Sequence, residues 1–256
     1  MCTTCGCSPA DNDHHHHNHN GKDHHHGNDD HHHYHSEGKR SVIAIEEDIL
    51  AKNNRLASFN RALFKDKGIL VLNLVSSPGS GKTTLLERTL CHLSDRLSFA
   101  VIEGDQQTDN DARRIAATGV PVRQINTGSG CHLDAHMIMH GTEGFDLDHI
   151  EVLMIENVGN LVCPAAFDLG ERHKVVVLSV TEGHDKPLKY PQMFHNSNVM
   201  LLNKSDLLPH LDFDIEKCQE YAKRVNPGIT IFEVSARTGE GMEQWYQWLA
   251  QEAGKS

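Results

Sequence analysis

The chain opens with thiols at Cys2, Cys5 and Cys7, and imidazoles follow at His14, His15, His16, His17, His19, His24, His25, His26, His31, His32, His33 and His35. Thiolate is a soft ligand and imidazole a borderline one, so this segment suits nickel, copper or zinc and not magnesium or calcium. Three sulfurs and the chain's own amino group could enclose one ion, and spacing alone leaves square-planar Ni²⁺ and tetrahedral Zn²⁺ both open. The histidines are broken up by Asn, Asp and Gly, unlike the single run of an expression tag, and read as a native reservoir of weak, exchangeable sites.

A second chemistry begins at Ser76-Ser77-Pro78-Gly79-Ser80-Gly81-Lys82-Thr83-Thr84, which follows an apolar run and precedes a helical pattern. Strand, glycine-rich turn and helix are the context of a phosphate-binding loop. Gly79, Ser80, Gly81 and Thr84 supply backbone N–H groups, Lys82 reaches the β and γ phosphates, and the Thr83 hydroxyl binds Mg²⁺. Ser76 stands where such loops usually begin with glycine. Asn203-Lys204-Ser205-Asp206, at the end of a later apolar run, selects the base. The Asp206 carboxylate accepts the paired N–H donors of guanine, which adenine lacks, while the Lys204 stem lies along the base and Asn203 holds the loop. Ser235 and Ala236 resemble the backbone contact to guanine O6 in GTPases.

Two acids complete the nucleotide chemistry. Asp105 follows one apolar run and is expected to hold Mg²⁺ through water or to orient the attacking water. Glu156-Asn157-Val158-Gly159 has the form of a γ-phosphate sensor, with the Gly159 N–H facing the phosphate. Cys163 stands just beyond that sensor and Cys131-His132 opens another helical pattern, so these three form a candidate internal metal site, short of a full set unless a second copy completes it. On spacing alone a buried pair of reduced cysteines fits equally well. Cys91 and Cys218 read as core residues. His136 and His140 share a face with His132, where a solvated surface is the commoner role of such residues.

Short apolar runs at 69–75, 99–104, 152–157, 175–180, 199–204 and 229–234 must position these groups. Runs apolar on both faces, alternating with helical patterns, predict a doubly wound α/β domain with a mostly parallel sheet and ligands at the carboxyl ends of its strands. This P-loop domain is expected over 68–256. An amphipathic helix is expected over 41–67, with Val42, Ile45, Ile49, Leu56, Ala57, Leu63 and Phe64 on its apolar face, Ser41 at its start and Gly68 at its end. Residues 1–40 carry almost no aliphatic side chains and are expected to be a disordered metal-binding tail. The closing helix carries Trp245 and Trp248, read as core.

Composition narrows the function. A net charge of −11 argues against nucleic acid as the main partner. The absence of any apolar run of about 18 residues, with cysteines and histidines where a secretory signal would need an apolar core, predicts a cytoplasmic protein without a membrane span. Seven cysteines, three of them crowded at the start, suit reduced metal-binding thiols better than a disulfide framework.

Together these motifs resemble the HypB family, GTPases that help to insert nickel into [NiFe]-hydrogenase. The resemblance is carried by Cys2-x-x-Cys5-Gly6-Cys7, the histidine tract, residues 76–84, 103–109, 130–136, 156–164 and 203–206, and Ser76 is similar to what that family carries. It implies GTP hydrolysis, a GTP- and metal-promoted homodimer, a nickel site at Cys2, Cys5 and Cys7, and a nickel or zinc site at Cys131, His132 and Cys163. It also implies HypA, a small zinc-containing protein, as partner and the hydrogenase large subunit as recipient. A urease-accessory GTPase of the UreG kind is the rival, but its Cys-Pro-His contrasts with Cys163-Pro164-Ala165 here. A nickel store with a vestigial GTPase domain is the alternative of another class, and the intact Gly81, Lys82, Thr83, Asn203 and Asp206 speak against it.

Overall fold

The computed structural model describes residues 35–106 and 108–255, with side chains from Ala44 onward. The chain divides into two units, Met1–Ile49 and Leu50–Ser256. Helix α1 runs His35–Asp66, starting inside the segment expected to be tail and six residues before Ser41, and stops before Gly68, whose φ of +67° only glycine adopts freely.

The second unit is built on seven strands: β1 Leu70–Ser76, β2 Phe99–Asp105, β3 Val122–Asn126, β4 Val152–Glu156, β5 His173–Ser179, β6 Val199–Asn203 and β7 Thr230–Glu233. They form one sheet in the order β3-β2-β4-β1-β5-β6-β7, and every pairing is parallel. Helices α2 Lys82–Leu93, α3 Asn110–Ala116, α4 Ala135–Thr142, α5 Cys163–Ala166, α6 Lys186–Lys189, α7 Pro191–His195, α8 Ile215–Val225 and α9 Met242–Ala253 connect and flank them. β1, β4, β5 and β6 are buried nearly throughout because helices cover both faces, which explains their continuous apolar runs. β3 is the strand without such a run: at the sheet edge VRQIN is only half-buried and needs no apolar face.

Packing divides the apolar interior by face. One cluster joins Leu85, Leu86 and Leu90 of α2 to Trp245 and Leu249 of α9 across β1 and β6. Trp245 is fully buried in the core and donates its indole N–H to Thr89 Oγ1 at 3.0 Å, and Trp248, only partly buried, packs against that core. Cys218 is buried in α8, but Cys91 is exposed, because α2 turns Leu90 and Leu93 inward and Cys91 away from the sheet.

The face expected of α1 is only partly realised. Ala57 and Phe64 are buried, whereas Leu63 is exposed together with Phe59. Polar groups do much of the docking. Asn53 donates to Asp168 O and accepts from Ala135 N, Asn60 donates to Ala135 O and Leu169 O, and Arg61 pairs with both Asp168 oxygens at 2.6 and 2.8 Å. α1 thus ties the start of α4 to the turn after α5. No described helix is long and apolar enough to cross a membrane.

Candidate functional site

The chain leaves β1 at Ser76 and enters α2 at Lys82, at the point beside the central strand where the connections change direction across the sheet. Gly81 caps α2 with φ +93°, and a Cβ there would stand 2.7 Å from Asn203 Nδ2, so both backbone and neighbour demand glycine. Asn203 uses both ends of its amide: Nδ2 donates to Ser80 O at 2.9 Å and Oδ1 accepts from Ala236 N at 3.0 Å. One buried side chain therefore fastens the glycine-rich loop to the segments that follow β6 and β7. Lys204 has φ +65°, the sole positive value for a non-glycine among the described residues, and donates to Gly79 O at 2.6 Å. Asp206 accepts from Ser235 Oγ at 2.6 Å, which fixes its orientation.

Ser76 has a physical role. Lys82, buried in the loop, donates to Ser76 Oγ at 2.8 Å, and burial holds its pKa below the usual ammonium range. The hydroxyl supplies an acceptor that glycine at this position would lack. Thr83 Oγ1 donates to Glu156 Oε1 at 2.8 Å, bringing two of the expected site residues together. Gly159 lies against the loop, where a Cβ would stand 3.1 Å from Pro78 Cα. Asp105 accepts from Gln106 N, Thr108 N and Thr108 Oγ1, so its carboxylate organises the turn leading to α3. Thr84 accepts from Arg114 at 3.0 Å.

Glu103 and Glu182 join the site without having been singled out from sequence. Glu103 on β2 is the register partner of Glu156 on β4, and both carboxylates are buried with one oxygen lacking a hydrogen bond. Desolvation pushes Glu156 up to about 7 against the pull of Lys82 and Thr83. Desolvation, followed by repulsion from Glu156 and Asp105, pushes Glu103 up to about 8. Glu182 Oε1 accepts from Ser80 Oγ at 2.7 Å and from Ser179 N, closing a capping box after β5. The Ser-x-x-Glu spacing was the signal available for it.

Cys131, His132 and Cys163 converge: one ligand atom from each lies within 4.8 Å of the other two. His132 is half-buried against Phe167, with ring centroids 3.9 Å apart, and desolvation lowers its pKa, favouring the neutral imidazole that ligates. Cys163 is buried at the start of α5. A polar network beneath the cluster reaches the sensor. Asn157 Oδ1 accepts from Leu133 N at 3.1 Å and Val158 N at 3.0 Å, Asn157 Nδ2 donates to Asn73 Oδ1, and Asn73 Nδ2 donates to Glu171 Oε1. Glu171 lies 3.7 Å from Lys174, whose ammonium donates to the carbonyls of Pro164, Ala165 and Phe167 around α5. His136 and His140 converge separately on α4. Cys2, Cys5, Cys7 and the histidines from His14 to His33 lie outside the described residues, and His35 is the first residue of α1.

Residues 70–233 match the model of the CobW/HypB/UreG nucleotide-binding domain. The hydrogenase maturation factor HypB of Azotobacter vinelandii is 64% identical over 213 residues, covering 83% of this chain and 70% of its own length. Among solved structures, HypB of Archaeoglobus fulgidus superposes with a TM-score of 0.75 at 40% identity, over 79% of this chain and 99% of that one. HypB of Helicobacter pylori in complex with nickel gives a TM-score of 0.76 at 38% identity, over 80% and 96%. The glycine-rich loop fastened to the segments after β6 and β7, the family match and these identities place the chain in the HypB family of hydrogenase maturation factors.

Proposed function

We propose that the protein is a GTP-hydrolysing nickel carrier that assists insertion of nickel into [NiFe]-hydrogenase. The observation that carries this reading is the shared network: Asn157, in the sensor segment, accepts from the residue following His132, and its chain of partners ends at the carbonyls around Cys163. A structure of a relative holding nickel supports the choice of cargo.

In this reading the amides of residues 79–84 cradle the phosphates, Lys82 turns from Ser76 to the β and γ oxygens, and Asp206, held by Ser235, accepts from guanine while the backbone turn at Ser235 and Ala236 lies beside O6. The Gly159 amide senses the γ-phosphate, and Asp105 orients the attacking water. The buried, unpartnered oxygens of Glu156 and Glu103 suit a divalent cation, so Thr83 and Glu156, with Asp105 through water, would hold Mg²⁺. When bound, it offsets charge on the phosphoryl oxygens.

Cys131, His132 and Cys163 supply three ligand atoms for nickel or zinc, one short of a tetrahedral set. A dimer promoted by GTP and metal would complete that ligand set. Cys2, Cys5 and Cys7 would hold a tighter nickel ion, the histidines a looser pool, and a HypA-type protein and the hydrogenase large subunit would be partners in the cytoplasm. The deciding experiment measures GTP turnover together with nickel and zinc affinity in the apo, GDP and GTP-analogue states. A chain that binds nickel but does not turn over GTP would be a store instead.

A further inference from the structure

A carboxylate fastened to a phosphate-binding loop is a liability, because it repels the anion that the loop collects. Glu182 is such a group. Its Oε1 accepts from Ser80 Oγ at 2.7 Å, inside the loop, and from Ser179 N at 3.0 Å. Its Oε2 is buried and takes no hydrogen bond among the described residues. The charge reaches Lys82 as well: burial lowers the pKa of that ammonium, and Glu182 is among the carboxylates that oppose the shift.

Lys186 stands over the second oxygen. Its Nζ lies 3.4 Å from Glu182 Oε2 and 3.5 Å from Ser77 Oγ, a further contact with the loop. Side-chain exposure is 18% for Lys186 and 13% for Glu182, so the pair is largely withdrawn from water and little screened by salt. The local sequence builds this arrangement. Ser179 and Glu182 close a capping box on the turn after β5, and Lys186 opens α6, whose first turn Pro187 stiffens. The Tyr190 ring, with its centroid 5.0 Å from Nζ, flanks the ammonium.

We propose that Lys186 is a positioning residue of the nucleotide site: paired with Glu182, it cancels the negative charge that this carboxylate would otherwise present to bound phosphates, while Glu182 keeps its hold on Ser80. The proposal rests on the reading of this site as one for guanine nucleotides. Lys186 acts through the carboxylate and not by contact with the nucleotide, so its removal should matter only while Glu182 is charged.

Calorimetric titration of the full chain, with Mg²⁺ and either GDP or a non-hydrolysable GTP analogue, reads the effect. Lys186→Met should weaken GDP binding by at least about tenfold, and the analogue further still because it carries more charge. In a Glu182→Gln background, where an amide oxygen still accepts from Ser80, the same Lys186→Met change should alter neither affinity by more than about threefold. Lys67→Met removes an ammonium that pairs with Asp148 at the opposite end of β1, and should leave both affinities unchanged. Equal losses from Lys186→Met in the two backgrounds would put Lys186 on the phosphates themselves and overturn the proposal, as would no loss in either. Should Lys186→Met unfold, Glu182→Gln alone decides, because it leaves the ammonium unopposed beside the loop. Tighter binding of the analogue than in the parent supports charge compensation, and unchanged or weaker binding overturns it. A parent chain that binds neither nucleotide would overturn the reading of the site, and this proposal with it.

Discussion

The Lys82 ammonium rests on a hydroxyl, so an arriving phosphate gains a buried cation without breaking an ion pair to it. Lys82→Ala should therefore abolish GTP turnover in a phosphate-release assay while the protein stays folded, since phosphoryl transfer depends on charge placed around the phosphates. With Asp206 assigned to the base, as proposed, turnover with ATP should fall about 10⁴- to 10⁵-fold below that with GTP because adenine leaves the carboxylate without donors. Comparable kcat/KM for the two nucleotides would remove that assignment. Glu103 and Glu156 make stability depend on pH. Their carboxyls hold protons up to about 8 and about 7 in the fold, against 4.5 ordinarily. Between those values the native state binds more protons than the unfolded one, so stability falls as pH rises. The urea midpoint of nucleotide-free protein should drop from pH 5 to pH 8, and Glu103→Gln should flatten the drop; a midpoint that climbs over this range contradicts the assignment.

Lys174 shows how an element can depend on one buried charge. It donates to three carbonyls around α5 and faces Glu171 in the interior. Lys174→Met leaves Glu171 uncompensated and those carbonyls without their donor, a loss of about 3–5 kcal/mol, which for a domain of this size lowers Tm by about 10 °C. Adding Glu171→Gln should recover part of it, and a single variant that melts like the parent would show the pair to be dispensable. None of this was legible in the sequence, because a lysine at the start of β5 looks like a solvated strand end until α5 is seen to fold over it. The phosphate loop was legible, since its glycines, lysine and flanking periodicities are local. β3 was not, because an edge strand needs no apolar run. Within the second unit the docking of α1 by Asn53 and Asn60 was not legible either, because helical periodicity marks apolar positions and not amides that reach backbone groups far along the chain.

For the whole molecule, the network from Leu133 through Asn157, Asn73 and Glu171 to Lys174 joins the cysteine cluster to the segment 156–159 through hydrogen bonds and one ion pair. Movement of the sensor segment on binding a γ-phosphate would alter the anchor of Cys131 and His132 at Leu133 N and reach Cys163 through Lys174. Linkage makes such coupling reciprocal: a nucleotide that changes metal affinity is itself bound with affinity changed by the same factor. Couplings of about 1–3 kcal/mol correspond to roughly 5- to 150-fold. Nickel affinity at the cluster should differ by a factor in that range between the GDP and GTP-analogue states, measured by competition with a chelating dye in a Cys2→Ala/Cys5→Ala/Cys7→Ala background that silences the tail thiols. Asn157→Ala should collapse the factor toward one while each ligand still binds, because it cuts the network between the two sites and touches neither set of ligand atoms. Equal affinities in the two nucleotide states of the parent would make the cluster a structural metal site, with the network serving only to hold it in place.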